Sequence, residues 1–113
     1  MVKKEKHRYI LFKIIKDTTV VINKKDIINS LWASIWKYFG LKEASKVGLW
    51  LLDVNFEDNF GIIRCSHQTK EIVMSSLTLI NEISGNEVIL SPIKTTGTIR
   101  NIKNVKDLML NNM

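Results

Sequence analysis

Few side chains in this chain are of types and spacings that do chemistry. His7 and His67 are the only histidines, and neither has a cysteine or second histidine at metal-ligand spacing, so no protein zinc site is expected. Each reads as a surface or hydrogen-bonded histidine. The single cysteine, Cys65, follows Arg64 in an apolar run; in a strand the two point to opposite faces, which denies the thiol a cationic neighbour. It reads as a small buried hydrophobe. The carboxylates are scattered singly except for Glu57-Asp58, a pairing better suited to a solvated turn than to acid–base work. Gly61 and Gly97 are isolated, so no phosphate-cradling loop is recognisable. An acylphosphatase-type anion cradle would need glycines and an arginine after the first strand, where this chain has Lys16-Asp17-Thr18-Thr19. No catalytic or metal-binding residue is therefore assigned.

What remains is positive charge. Lys3, Lys4, Lys6 and Arg8 open the chain, Arg64 lies in its middle, and Lys94 precedes a run from Arg100 through Lys106. Arg8, Arg64 and Arg100 are the only arginines, and a guanidinium makes forked contacts with phosphate that an ammonium cannot. The net charge of +6 and a pI of about 9.6 point to phosphate-rich partners or an acidic membrane surface. A hydrophobic fraction of 45% and a charged fraction of 25% are those of an ordinary globular protein. At 113 residues a single domain is expected, spanning 1–113. Its core runs over about 6–96, with a C-terminal helical tail over about 100–111. One cysteine suits a reducing cytoplasm, and no apolar run approaches the ~20 residues of a membrane helix. A soluble cytoplasmic protein that engages no membrane is the expectation.

The elements follow from periodicity. His7 to Lys16 alternates, with Ile10, Phe12 and Ile14 on one face and Tyr9, Leu11, Lys13 and Ile15 on the other, as in a strand. Asn23 is a candidate N-cap with Asp26 completing a capping box. Ile28, Leu31, Trp32, Ile35 and Phe39 then recur at helical spacing until Gly40 stops the helix, with a short turn of helix over 41–46. Leu49 to Phe56 and Phe60 to Ser66 read as strands joined by a hairpin. Glu71 to Ile83 reads as a second helix, carrying Val73, Leu77, Ile80 and Ile83 inward, and Ser84-Gly85-Asn86 leads into a strand from Glu87 to Ile93. The order βαββαβ, with both helices on one side of an antiparallel sheet, is a ferredoxin-like α+β sandwich, of which the RNA-recognition-motif fold is one version. Pro92 belongs on an edge strand or bulge, and in the 4-1-3-2 strand order of this sandwich the fourth strand is an edge. Ile102, Val105, Leu108 and Met109 add a terminal amphipathic helix.

Three short motifs stand in order on this frame: Lys6-His7-Arg8-Tyr9, Asn59-Phe60-Gly61-Ile62-Ile63-Arg64-Cys65 and Thr96-Gly97-Thr98-Ile99-Arg100. Together with the amphipathic segment and the Gly85 stop between the last two, they resemble the archaeal ribonuclease P protein component 2 family, from Lys6 to about Arg100. The resemblance implies a tRNA-processing ribonucleoprotein that removes 5′ leaders from precursor tRNA. In it the RNA and its Mg²⁺ hydrolyse the phosphodiester, and this subunit, with no cofactor of its own, neutralises and stabilises the RNA. Implied partners are ribonuclease P RNA, precursor tRNA, protein component 3 in a two-plus-two heterotetramer, and other ribonuclease P proteins. Lys6, Arg8, Arg64, Arg100 and Lys103 are the expected RNA-binding residues. The other reading is a stand-alone regulatory or ligand-binding sandwich without nucleic acid.

The third strand lacks the exposed aromatics on which recognition motifs stack bases, so binding by charge is expected rather than base readout. If Ile10, Phe12 and Ile63 face the helices, the opposite face shows Tyr9, Leu11, Ile15 and Ile62 to solvent, unless the terminal helix covers them. With Trp36 beside the inward stripe of the first helix, these five residues form the expected partner interface.

Overall fold

Alternation from His7 to Lys16 produces the strand it predicts. The computed structural model describes residues 6–111, and in it β1 (His7–Lys16) is central in the sheet, paired antiparallel with β3 (Phe60–Ser66) on one side and β5 (Asn86–Thr96) on the other. The remaining elements are α1 (Lys24–Ala44), β2 (Trp50–Asn55), a 3₁₀ turn at His67–Thr69, α2 (Lys70–Leu79), β4 (Glu82–Ile83) and α3 (Ile99–Asn111). The strand order is β2-β3-β1-β5-β4, the ferredoxin-like order with one short strand added. Among the described residues no helix is long and apolar enough to cross a membrane.

Local chemistry sets the boundaries. The Asn23 side chain accepts from the Asp26 N–H at 2.8 Å, and the Asp26 carboxylate accepts from the Asn23 N–H at 3.1 Å, closing the expected capping box. Gly40 interrupts the helix as expected, and a short further turn runs to Ala44; at its φ of 83°, however, its ψ of 174° is extended rather than that of the left-handed helical pair. Asn55 organises the β2–β3 turn, its side-chain oxygen accepting from the N–H groups of Glu57 and Asp58 at 2.9 and 3.1 Å. Gly61 lies opposite Phe12, and a Cβ there would overlap the Phe12 ring.

Two layers of side chains hold the sheet. Ile10, Phe12, Ile14, Ile63, Cys65, Val88 and Leu90 pack against Ile27, Leu31 and Ile35 of α1 and Val73 and Leu77 of α2. Ser34 and Ser76 meet between these helices, the Ser34 hydroxyl donating to the Ser76 carbonyl at 3.0 Å; helical periodicity alone does not single out this small polar contact, nor Ile27. On the opposite face Leu11, Phe60 and Ile62 are buried beneath Ile102 of α3, flanked by Tyr9, Leu52 and Ile93.

That second layer corrects the expected open face. Leu11 and Ile62 are 0% and 1% exposed, so α3 already occupies the ground a partner was expected to cover. The helix is also tied to β2 by the Lys106 ammonium, 3.4 Å from the Asp53 carboxylate. Ile15 remains 46% exposed, beside the exposed Ile89 with which it pairs.

The end of α2 is the second correction. Ile83 lies in β4, not in the helix, because Ser84 and Gly85, at φ 53° and 81°, form a two-residue hairpin turn that needs paired strands on both sides. The helix stops at Leu79, and Ile80 is already extended. Consequently β5 is an edge only beyond its short pairing with β4. Pro92 lies on that free stretch, next to the bulge where Leu11 pairs with Lys94 and Phe12 with Pro92.

Candidate nucleic-acid interface

Register places four residues in one row across the sheet: Trp50 of β2 lies opposite Arg64 of β3, Arg64 opposite Tyr9 of β1, and Tyr9 opposite Thr96 of β5. Direct cross-strand partners share a face, so the row joins an indole, a guanidinium and a phenol at one end of the sheet. The Arg64 guanidinium lies 5.9 Å from the Trp50 ring centroid, within cation–π range. Its Nε is shielded from solvent and has no hydrogen-bond partner among the described residues. Trp50 is 58% exposed and Tyr9 is half-buried.

At the β5 end of the row the chain turns into α3. The Thr96 hydroxyl donates to the Thr98 carbonyl at 2.7 Å, and the Thr98 hydroxyl accepts from the Asn101 N–H at 3.3 Å, capping the helix. Arg8 reaches this junction: a Cβ on Gly97 would lie 3.1 Å from its Nη1, which donates to the His7 carbonyl at 3.2 Å. Arg100 is exposed in the first turn of α3, which carries no acidic residue, and Lys103 is exposed further along. Lys6 is exposed at the start of β1, its carbonyl accepting from the His67 N–H at 2.8 Å.

Of the expected RNA-binding residues, Arg8 reaches the β5–α3 junction, Arg100 follows it in the first turn of α3, Lys103 continues the charge along that helix, Lys6 stands just before β1, and Arg64 lies on the neighbouring strand β3. Guanidinium groups beside the positive end of a helix dipole suit phosphate. The expected partner residues do not form one patch: Leu11 and Ile62 are buried, Tyr9 belongs to the cationic row, Ile15 lies at the far end of β1, and Trp36 is on α1 in the other helical layer. Sequence reasoning missed Trp50. The available signal was alternation, since placing Leu49 and Leu51 inward turns Trp50 outward.

Cys65 is fully buried, and burial pushes its thiol up to about 11 while the charge of Lys70 pulls it back down. Among the described residues, no three His, Cys, Asp or Glu side chains converge as a metal site would require.

Comparison with known proteins gives this arrangement a family. A model of the Rpp14/Pop5 family matches residues 8–105. Ribonuclease P protein component 2 of Pyrococcus furiosus is 33% identical over 100 residues, which cover 88% of this chain and 82% of that protein. The protein of the same name from Methanocaldococcus jannaschii is 33% identical over 100 residues, covering 88% of this chain and 72% of that one. A chain in the cryo-EM structure of yeast ribonuclease MRP superposes with a TM-score of 0.67 over the full length of both chains at 13% identity, a likeness of fold. With the family's match running from Arg8 at the start of β1 to Val105 within α3, the chain belongs to the Rpp14/Pop5 family.

Proposed function

We propose that this chain is a protein subunit of ribonuclease P, which takes part in removing 5′ leaders from precursor tRNA by binding and stabilising the catalytic RNA. The observation that carries the reading is family membership, with relatives named as ribonuclease P protein component 2 aligned over 88% of the chain. Arg8 at the β5–α3 junction, Arg100 in the first turn of α3, Lys6 just before β1 and Arg64 on β3 supply the physical means. Each forked guanidinium–phosphate contact displaces counterions and holds the RNA backbone without reading its sequence.

In this reading the hydrolysis belongs to the RNA with Mg²⁺, which would supply a metal-activated water for the phosphodiester. The protein in this reading has no catalytic residue; its side chains neutralise and position. Its expected working state is a two-plus-two assembly with protein component 3 in the cytoplasm, with other ribonuclease P proteins on the same RNA. Ile15 and Ile89 offer an exposed apolar pair for such contacts.

The test compares RNA-free protein with the reconstituted particle on precursor tRNA in Mg²⁺. The expected outcome is leader removal by the particle and none by the protein at any concentration. Accurate 5′ cleavage by scrupulously RNA-free protein would overturn the assignment of catalysis.

A further inference from the structure

All three tryptophans of the chain converge at one place. Trp32 and Trp36 of α1, Trp50 of β2 and Arg64 of β3 line a surface groove of about 510 Å³, floored in part by Leu49. A second hollow of about 410 Å³ shares Leu49 and Trp50 with the first and adds Lys24 and Lys25 from the start of α1. The loop before β2 is pinned in place: the Ser66 N–H donates to the Val47 carbonyl at 2.9 Å and the Ser66 hydroxyl to the Lys46 carbonyl at 3.1 Å. The groove is therefore fixed by the end of β3, the strand that carries Arg64.

Its contents are unusual for a surface. Trp36 is 52% exposed and Trp50 58% exposed, although each indole would gain by burial. The charged residues lining the two hollows are Arg64, Lys24 and Lys25, and no carboxylate is among the lining residues of either. The solvent-shielded Nε of Arg64 still has a donor to offer, with no acceptor among the described residues. β2 is a sheet edge, but its register breaks between Leu51 and Asp53, leaving Leu52 out of the ladder. A bulged edge is a poor template for an added protein strand. Exposed aromatic faces beside cations, with no competing acid, match how unpaired nucleotides are held: bases stack on the rings and phosphates meet the charges. A duplex keeps its bases stacked on one another and cannot use the indoles this way.

We propose that this groove binds an unpaired RNA strand, stacking bases on Trp36 and Trp50 while Arg64 holds the phosphate between them. The inference rests on the reading of the chain as an RNA-binding subunit. It adds a stacking site to a protein whose strands β1 and β3 present only Tyr9 as an accessible aromatic.

The test measures fluorescence anisotropy of the full chain with a short labelled oligouridylate, a duplex of equal length, and structured ribonuclease P RNA. Trp36→Ala and Trp50→Ala should each weaken oligouridylate binding about fivefold or more. Trp50→Phe should recover most of the loss, and neither Trp→Ala change should alter the salt slope, since each removes a neutral group. Circular dichroism controls for folding, and having two exposed positions guards against one misfolded variant. If the parent binds structured RNA but not oligouridylate, or both Trp→Ala variants bind it like the parent, the groove proposal fails and the functional reading stands. A parent that binds no RNA of any kind overturns both. Loss of assembly with other protein subunits at unchanged oligouridylate affinity would make the groove a protein-docking site and overturn the proposal.

Discussion

Arg64 sits between an exposed indole and a half-buried phenol, where its guanidinium is neither fully hydrated nor matched to a carboxylate among the described residues. Its residue type was enough to nominate it, as it was for Arg8 and Arg100, because forked donors suit phosphate wherever they stand. Its neighbours were not legible in the same way. That Trp50 and Tyr9 flank it depends on the register of three strands, and a register shift of one residue would send each to the opposite face. Cys65, one residue on, carries the clearest pH signature. Its thiol has an ordinary value near 9, which burial moves to about 11 in the native state. Between those values the unfolded chain releases the thiol proton and the folded chain keeps it, so the native state binds more protons and stability falls as pH rises through the window. Below about pH 9 the contribution is constant. Urea unfolding midpoints from pH 8 to 11 should therefore decline less steeply in Cys65→Ala than in the parent, once its lower starting stability is subtracted. Parallel declines would show that the thiol titrates alike in both states.

Helix α3 decides what the far side of the sheet can do. Alternation in β1 and β3 correctly sorted the side chains into two faces, and the spacing of Ile102, Val105, Leu108 and Met109 announced an amphipathic helix. Neither feature told whether that helix folds back, since docking depends on long-range contacts such as Ile102 over Leu11 and Ile62. The first strand, the capping box at Asn23 and the third strand were readable because each depends on residues close in sequence. The end of α2 was misread because Ile80 and Ile83 continue an apolar helical spacing that the Ser84-Gly85 turn overrides. The docked helix makes a specific prediction. Leu11→Glu places an unpaired carboxylate in a dry layer and should cost about 3 kcal/mol or more, seen as a large drop in melting temperature. Ile15→Glu, on the exposed end of the same strand, should leave melting unchanged and, under the proposed pairing with protein component 3, weaken that assembly in light scattering. A Leu11→Glu variant that melts like the parent would mean α3 does not cover this face in solution. Unchanged assembly of Ile15→Glu would remove that residue from the interface.

At the scale of the whole molecule, an excess of six positive charges is distributed on a sandwich whose one sheet is enclosed between helical layers. Arg8 and the Arg64 row lie at the same end of β1, Arg8 on the face of Cys65 and Arg64 on the face of Tyr9, so RNA that engages both must wrap that end of the sheet. Binding should weaken steeply with salt, each phosphate contact adding roughly 0.7–0.9 to the log–log slope. Arg64→Ala and Arg100→Ala should each lower that slope by about one contact. The most direct test of the central claim is cleavage of precursor tRNA by ribonuclease P RNA and its other protein subunits, measured across Mg²⁺ and salt concentrations with this chain omitted and then added back. The account predicts that omission slows 5′-leader removal, most at low Mg²⁺ and high salt, and that the parent chain restores it while the combined Arg8→Ala, Arg64→Ala and Arg100→Ala variant does not. Equal cleavage rates with and without the chain at every concentration would contradict it.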